Sequence, residues 1–227
     1  MEIKVLKNIM QHNEDLAAEN KTILDRQGIY CINMMSSPGA GKTSILEQTI
    51  ARLKRKINIA IIEGDLMTSR DAERIDRTGV PVVQINTEGG CHLDANMVNK
   101  ALQELVLEGL DLLIIENVGN LVCPGTYYLG EHDKVVVLSV PEGHDKPAKY
   151  PLMFQEAHVC LLNKVDLLKY SNFDEKIFLS DVQALNEDIE IIRTSVTTGQ
   201  GLEDWCQLLL KRIAGSKKTD VGSKLGD

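Results

Sequence analysis

The sequence predicts an α/β fold, a doubly wound and mostly parallel sheet of about seven strands. Two observations carry it. Short apolar runs alternate with amphipathic stretches along the chain, the pattern of strands joined by crossover helices. One run, Asp111-Leu112-Leu113-Ile114-Ile115-Glu116, is apolar almost to its carboxyl end, as a parallel strand covered on both faces must be. The 227 residues suit a single domain of this class, and 43% apolar content with 4% aromatic content makes its core aliphatic.

Residues 1–28 read as an N-terminal helical segment, with Val5, Ile9, Leu16, Ile23 and Leu24 recurring among charges up to Gly28. It is expected to pack against the main domain or a partner, leaving His12 in solvent. The main domain covers 29–214. Its strands are expected at 29–35, 58–63, 81–85, 111–116, 134–140, 159–162 and 189–194. Helices are expected at 44–54, 71–77, 94–108, 174–185 and 202–213, the third with Met97, Val98, Ala101, Leu102, Leu105 and Val106 on its inner face. In the tail, 215–227, glycine, lysine and serine dominate and disorder is expected.

Composition narrows the function classes. A formal charge of −8 opposes a broad electrostatic grip on nucleic acid or on an anionic membrane. No apolar run reaches the ~20 residues that span a bilayer, and Glu14, Asp15 and Glu19 stand where a secretory signal would need an apolar core. Five cysteines, an odd number, read as a reducing compartment, so a cytoplasmic location is expected.

Between the first strand and its helix lies Ser36-Ser37-Pro38-Gly39-Ala40-Gly41-Lys42-Thr43, the context of a phosphate-binding P-loop. Gly39 and Gly41 let successive backbone N–H groups point at one phosphate cluster. Pro38, Gly39, Ala40, Gly41, Lys42, Thr43 and Ser44 are the expected nucleotide contacts, with Lys42 reaching the β- and γ-phosphates and the Thr43 hydroxyl suited to Mg²⁺. Ser36 stands where the usual pattern has its first glycine. In such sheets ligands bind beyond the carboxyl ends of the strands, where 36–43, Asp65, Glu116, 163–166 and 195–201 all fall.

The tetrad Asn163-Lys164-Val165-Asp166, ending a strand well downstream of the P-loop, resembles the guanine-reading signature of the P-loop GTPases. That resemblance implies GTP and GDP as ligands. A carboxylate at Asp166 accepts from guanine N1–H and its amino group, whereas adenine would leave it unpaired at roughly 1–3 kcal/mol. By the same resemblance Asn163 supports the loop, the Lys164 stem lies along the base, and Ser195-Val196-Thr197 matches the second base-contacting loop. Glu116-Asn117-Val118-Gly119 stands where most GTPases carry Asp-x-x-Gly, placing Gly119 by the γ-phosphate. Lys42, Asp65 and Glu116 are then the catalytic candidates, and either carboxylate could hold a Mg²⁺-bound water. Asp65 also suits the role of a helix cap ahead of 67–74. No glutamine follows Gly119, so intrinsic hydrolysis is expected to be slow.

Cys91, His92 and Cys123 lie in loops and carry the ligand types that Zn²⁺ and Ni²⁺ prefer. Three ligands do not close a tetrahedron; water or a second subunit could supply the fourth. Two buried structural cysteines and a surface histidine are the alternative. Gly90-Cys91-His92-Leu93-Asp94-Ala95 and Glu116-Asn117-Val118-Gly119-Asn120-Leu121-Val122-Cys123-Pro124 are similar to the hydrogenase nickel-incorporation GTPases, the HypB family. This resemblance spans about 29–214. It implies a GTP-hydrolysing metallochaperone that forms a GTP-promoted homodimer and helps deliver nickel to the large subunit of nickel–iron hydrogenase with a maturation partner. It also implies that Cys91, His92 and Cys123 bind zinc or nickel at the subunit interface. The sister urease accessory GTPases have Cys-Pro-His, whereas Cys91 and His92 are adjacent here. Some members add a Cys-rich or His-rich nickel-storing stretch, and neither occurs in these residues. Alternatives are a nucleotide-responsive metal-binding scaffold with negligible turnover, a urease-type accessory GTPase, or a P-loop small-molecule kinase, which the Asn163–Asp166 tetrad opposes.

Overall fold

The computed structural model describes residues 4–223, and the side chains of 10–217. Seven parallel strands form one sheet in the order β3-β2-β4-β1-β5-β6-β7. They are β1 (Tyr30–Ser36), β2 (Ile59–Asp65), β3 (Val82–Asn86), β4 (Leu112–Glu116), β5 (Asp133–Ser139), β6 (Val159–Asn163) and β7 (Glu190–Arg193). Order reverses between β4, β1 and β5, so the chain leaving β1 enters the crevice where such sheets bind ligands. β1, β4, β5 and β6 are buried along their whole lengths, the two-sided burial that their apolar runs demand.

One face packs under α2 (Lys42–Leu53), α3 (Arg70–Asp76) and α8 (Leu202–Ser223), around Ile32, Met34, Ile114, Val135 and Leu161. Trp205 on α8 is buried in that cluster and its indole N–H donates to Thr49 Oγ1 on α2 at 3.1 Å. The other face carries two clusters. α1 (Lys4–Gln27) and α4 (Ala95–Gln103) cover Cys31, Ile62, Leu113 and Ile115. α6 (Pro151–Gln155) and α7 (Glu175–Leu185) cover Met35, Val136 and Leu162.

The seven expected strands all form, each within two residues of its expected limits. The leading helix also forms and ends at Gly28, whose φ of 67° suits glycine after a helix. His12 is exposed, as expected, while Val5 and Ile9 lie outside the described side chains. The apolar spacing misreads the inner stripe of α1, however. Asn13, Ala17, Asn20 and Leu24 are buried, whereas Leu16 and Ile23 are only half-buried.

Three further differences have local causes. α4 ends at Gln103, because Glu104 and Leu105 donate to carbonyls three residues back and the chain tightens toward β4. Val106 is consequently 84% exposed rather than on the inner face. The polar stretch after β5 holds two short helices, α5 (Lys146–Lys149) and α6, each opened by a proline at its start. Finally, α8 continues to Ser223, past the expected end at 213 and into the stretch expected to be disordered. Arg212 pairs with Asp133 and Glu190, and Lys217 pairs with Asp111, so the helix is held to the bottom of the sheet where its sequence looks like a tail. Among the described residues no helix is long and apolar enough to cross a membrane.

Candidate functional site

Beyond the carboxyl ends of β1, β2 and β4 lies a cavity of about 400 Å³, lined by the P-loop, by 63–66, by 116–119 and by Lys164. Gly39 and Gly41 hold φ of 77° and 105°, left-handed conformations that only glycine adopts without strain. A side chain at Gly41 would meet Asn163 Nδ2 at 2.6 Å, and one at Gly119 would meet Pro38 at 3.1 Å. The phosphate loop is thus clasped between the guanine-type tetrad and Gly119.

Lys42 opens α2 with its stem buried and Nζ 2.9 Å from Ser36 Oγ, the hydroxyl that replaces the usual glycine. Burial pulls its pKa down, while the nearby Glu116 carboxylate opposes the shift. Thr43 Oγ1 donates to Glu116 Oε1 at 2.7 Å, and Glu116 Oε2 is buried with no partner among the described residues. Ser44 Oγ accepts from Arg74 at 3.0 Å, and both its O–H and its backbone N–H remain able to donate.

Glu63 was not singled out by the sequence reading and is central. It sits on β2 in register with Glu116 on β4, so two carboxylates stand side by side inside the sheet. Burial, then repulsion from Glu116, pushes Glu63 up to about 8, and its Oε2 also lacks a partner among the described residues. Carboxylate oxygens of Glu63, Asp65 and Asp71 lie within 4.8 Å of one another. The signal in the sequence was a lone acid closing the apolar run Ile59-Ala60-Ile61-Ile62. Asp65 Oδ1 accepts from Met67 N and Thr68 N at 2.8 and 2.7 Å, capping a turn rather than a helix, since α3 begins only at Arg70. Partial burial raises its carboxyl, but these backbone donors outweigh that and hold it below the ordinary value.

In the tetrad, Asn163 Nδ2 donates to Ala40 O at 2.9 Å and Lys164 Nζ to Gly39 O at 2.7 Å. Ser195 Oγ donates to Asp166 Oδ1 at 2.6 Å, so the two base-loop candidates meet. The Val196 side chain packs against the core.

Cys91 and His92 follow the turn after β3, where Glu88 and Gly89 hold φ of 51° and 94°. Cys91 Sγ lies 3.0 Å from Cys123 Sγ and 3.6 Å from His92 Nδ1, and one ligating atom from each of the three residues falls within 4.8 Å of the others. His92 stacks on Tyr127, with centroids 4.0 Å apart, and burial lowers its pKa. The Cys91 thiol, then burial, raises Cys123. Asn120, the residue after Gly119, donates to Cys91 O at 3.4 Å. By contrast Cys31, Cys160 and Cys206 are core residues whose thiols burial holds protonated.

The parallel sheet, the clasped phosphate loop and the tetrad define a P-loop nucleotide-binding protein of the GTPase class. Residues 30–193 match the family described as CobW/HypB/UreG, nucleotide-binding domain. The hydrogenase maturation factor HypB of Azotobacter vinelandii is 50% identical over 204 residues, covering 89% of this chain and 67% of that protein. A crystal structure of HypB from Helicobacter pylori in complex with nickel superposes with a TM-score of 0.86 at 41% identity, covering 90% of this chain and 96% of that one. HypB from Archaeoglobus fulgidus gives 0.84 at 36%, covering 89% and 99%. The chain belongs to the HypB family of hydrogenase maturation factors.

Proposed function

We propose that this chain hydrolyses GTP slowly and uses the nucleotide state to control nickel held by Cys91, His92 and Cys123, for delivery to a nickel–iron hydrogenase. The observation that carries the reading is the convergence of those three side chains on one point, in loops that adjoin the nucleotide cavity. Thiolate and imidazole suit nickel or zinc as cargo. Three ligands from one chain leave a coordination position, and exposed Val122 stands beside Cys123, which supports a homodimer that shares the metal across a two-fold axis.

On the nucleotide side, Lys42 would bind the β- and γ-phosphates, Asp166 and Lys164 the guanine, and Gly119 would sense the γ-phosphate. A Mg²⁺ ion fits the residues present: all donors are oxygen, Glu116 Oε1 already meets the Thr43 hydroxyl, and the Oε2 atoms of Glu116 and Glu63 are buried without a partner among the described residues. Thr43 with Glu116 or Asp65 would hold it, and it would neutralise phosphate charge. Asn120 takes the position after Gly119 and is engaged with Cys91, which supports a slow intrinsic rate. The proposed setting is the cytoplasm, with a maturation partner and the hydrogenase large subunit as receivers.

The test combines phosphate release, nickel analysis and sedimentation of the purified protein with GDP and with a GTP analogue. GTP-specific turnover, nickel lost in Cys91→Ala and Cys123→Ala, and a larger mass with the analogue are expected. Turnover without nickel, or nickel retained in both variants, would refute the metallochaperone reading.

A further inference from the structure

α1 has a polar seam where a helix packed on a domain would ordinarily present aliphatic side chains. Asn13 and Asn20 are seven residues apart, so they share one face about 10 Å apart along the axis. Both are buried, Asn20 completely. Asn13 Oδ1 accepts from Ala95 N at 2.8 Å and its Nδ2 donates to Tyr128 O at 2.9 Å. Asn20 Nδ2 donates to Ala95 O at 2.9 Å and to Leu129 O at 3.0 Å, while Asn99 on α4 donates to Asn20 Oδ1 at 2.8 Å. The fit is close: a side chain at Gly130, whose φ is 101°, would lie 2.7 Å from Asn20 Cβ and 2.8 Å from Ala17 O.

These bonds land on the two segments that carry the thiolate and imidazole groups. Ala95 is three residues beyond His92, and Tyr128 and Leu129 follow Tyr127, whose ring stacks on His92, in the loop that carries Cys123. Each asparagine bridges both segments, and together they engage both backbone groups of Ala95. An aliphatic seam would bury as much area but would fix neither segment against the other and would remove the side-chain partners of four backbone polar groups, Ala95 N, Ala95 O, Tyr128 O and Leu129 O.

We propose that α1 braces the metal site, Asn13 and Asn20 being positioning residues that set Cys91 and His92 against Cys123. This rests on the metal reading of those three residues. The brace works as outer-sphere hydrogen bonds do at metal sites generally, by holding the ligands in the geometry the ion requires before it arrives.

The full chain is titrated with nickel(II) alone, following thiolate-to-nickel charge-transfer absorption, and separately with a GTP analogue. Asn13→Ala and Asn20→Ala are expected to weaken nickel about tenfold or more and to shift the charge-transfer band, leaving nucleotide affinity unchanged. Val182→Ala, in the separate core cluster under α7, removes stability without touching α1 and is expected to leave the band where it is. If Asn20→Ala does not fold, Asn13→Ala and the milder Asn99→Ala, which frees Asn20 to rotate, decide the matter. Folded asparagine variants with unaltered nickel affinity and spectrum would overturn the brace, as would a Val182→Ala shift of equal size. Cys91→Ala and Cys123→Ala separate the two failures: if they abolish the band while the asparagine variants keep it, only the brace falls. If they too keep it, the metal reading falls and the brace with it.

Discussion

Leu93 N donates to Asn117 Oδ1 at 3.2 Å, joining the residue after His92 to the residue after Glu116. The Leu93 side chain also covers Gly64, where an added Cβ would lie 2.9 Å from it, between Glu63 and Asp65. One buried leucine therefore ties the loop of Cys91 and His92 to both carboxylate-bearing strands. A packed contact of this kind has few intermediate positions, so displacement on one side is passed to the other.

Leu93→Ala is accordingly expected to cost about 2–4 kcal/mol of stability as a core truncation. It should also bring together the nickel affinities of the GDP and GTP-analogue forms. Nickel titrations in both forms check this; a ratio identical to that of the unmodified protein would reduce Leu93 to a packing residue.

Lys42→Ala removes the cation proposed to bind the β- and γ-phosphates, and calorimetry should show GTP binding abolished. The fold should survive, because Lys42 is the first residue of α2 and its amine bonds only the Ser36 hydroxyl among the described residues.

Asp166→Asn exchanges an acceptor for an amide that can donate to a 2-oxo group. Competition binding should show GTP weakened by tenfold or so and xanthosine triphosphate gaining relative to it, in line with about 1–3 kcal/mol for an unmatched polar group. ATP competing as well as GTP against the unmodified protein would contradict the guanine assignment.

The Glu63–Glu116 pair fixes the sign of a pH effect. Glu63 binds its proton more tightly when folded, its value rising from 4.5 to about 8. Its contribution to stability is therefore complete below about 4.5 and is lost as pH climbs toward 8. The melting temperature of nucleotide-free protein should fall across that window, and Glu63→Gln, which stays neutral, should flatten the decline. A melting curve in Glu63→Gln with the same pH slope would assign the effect elsewhere.

The sheet was legible because two-sided burial writes unbroken apolar runs, as in Leu112–Glu116, and the phosphate loop because glycine, lysine and threonine have fixed spacings there. Glu63 escaped notice because its meaning comes from register: only pairing β2 with β4 brings it beside Glu116. Asn13 and Asn20 escaped for a similar reason. Hydrophobic periodicity cannot mark a helix face that binds through amides, and their partners lie 75 to 115 residues away. α8 was cut short because Lys217 reads as solvent-seeking until Asp111 is placed beneath it.

Trp205 is the only tryptophan in the chain, and its indole bonds Thr49 on the helix that begins at Lys42. The protein therefore contains a single indole fluorophore, buried, excitable apart from its five tyrosines, and attached to the helix that follows the P-loop. Its emission maximum and lifetime report on the seating of α2 without any label. Mixing with nucleotide in a stopped-flow instrument would time the arrival of GTP at the phosphate loop, and Thr49→Val would show how much of that signal passes through the one hydrogen bond.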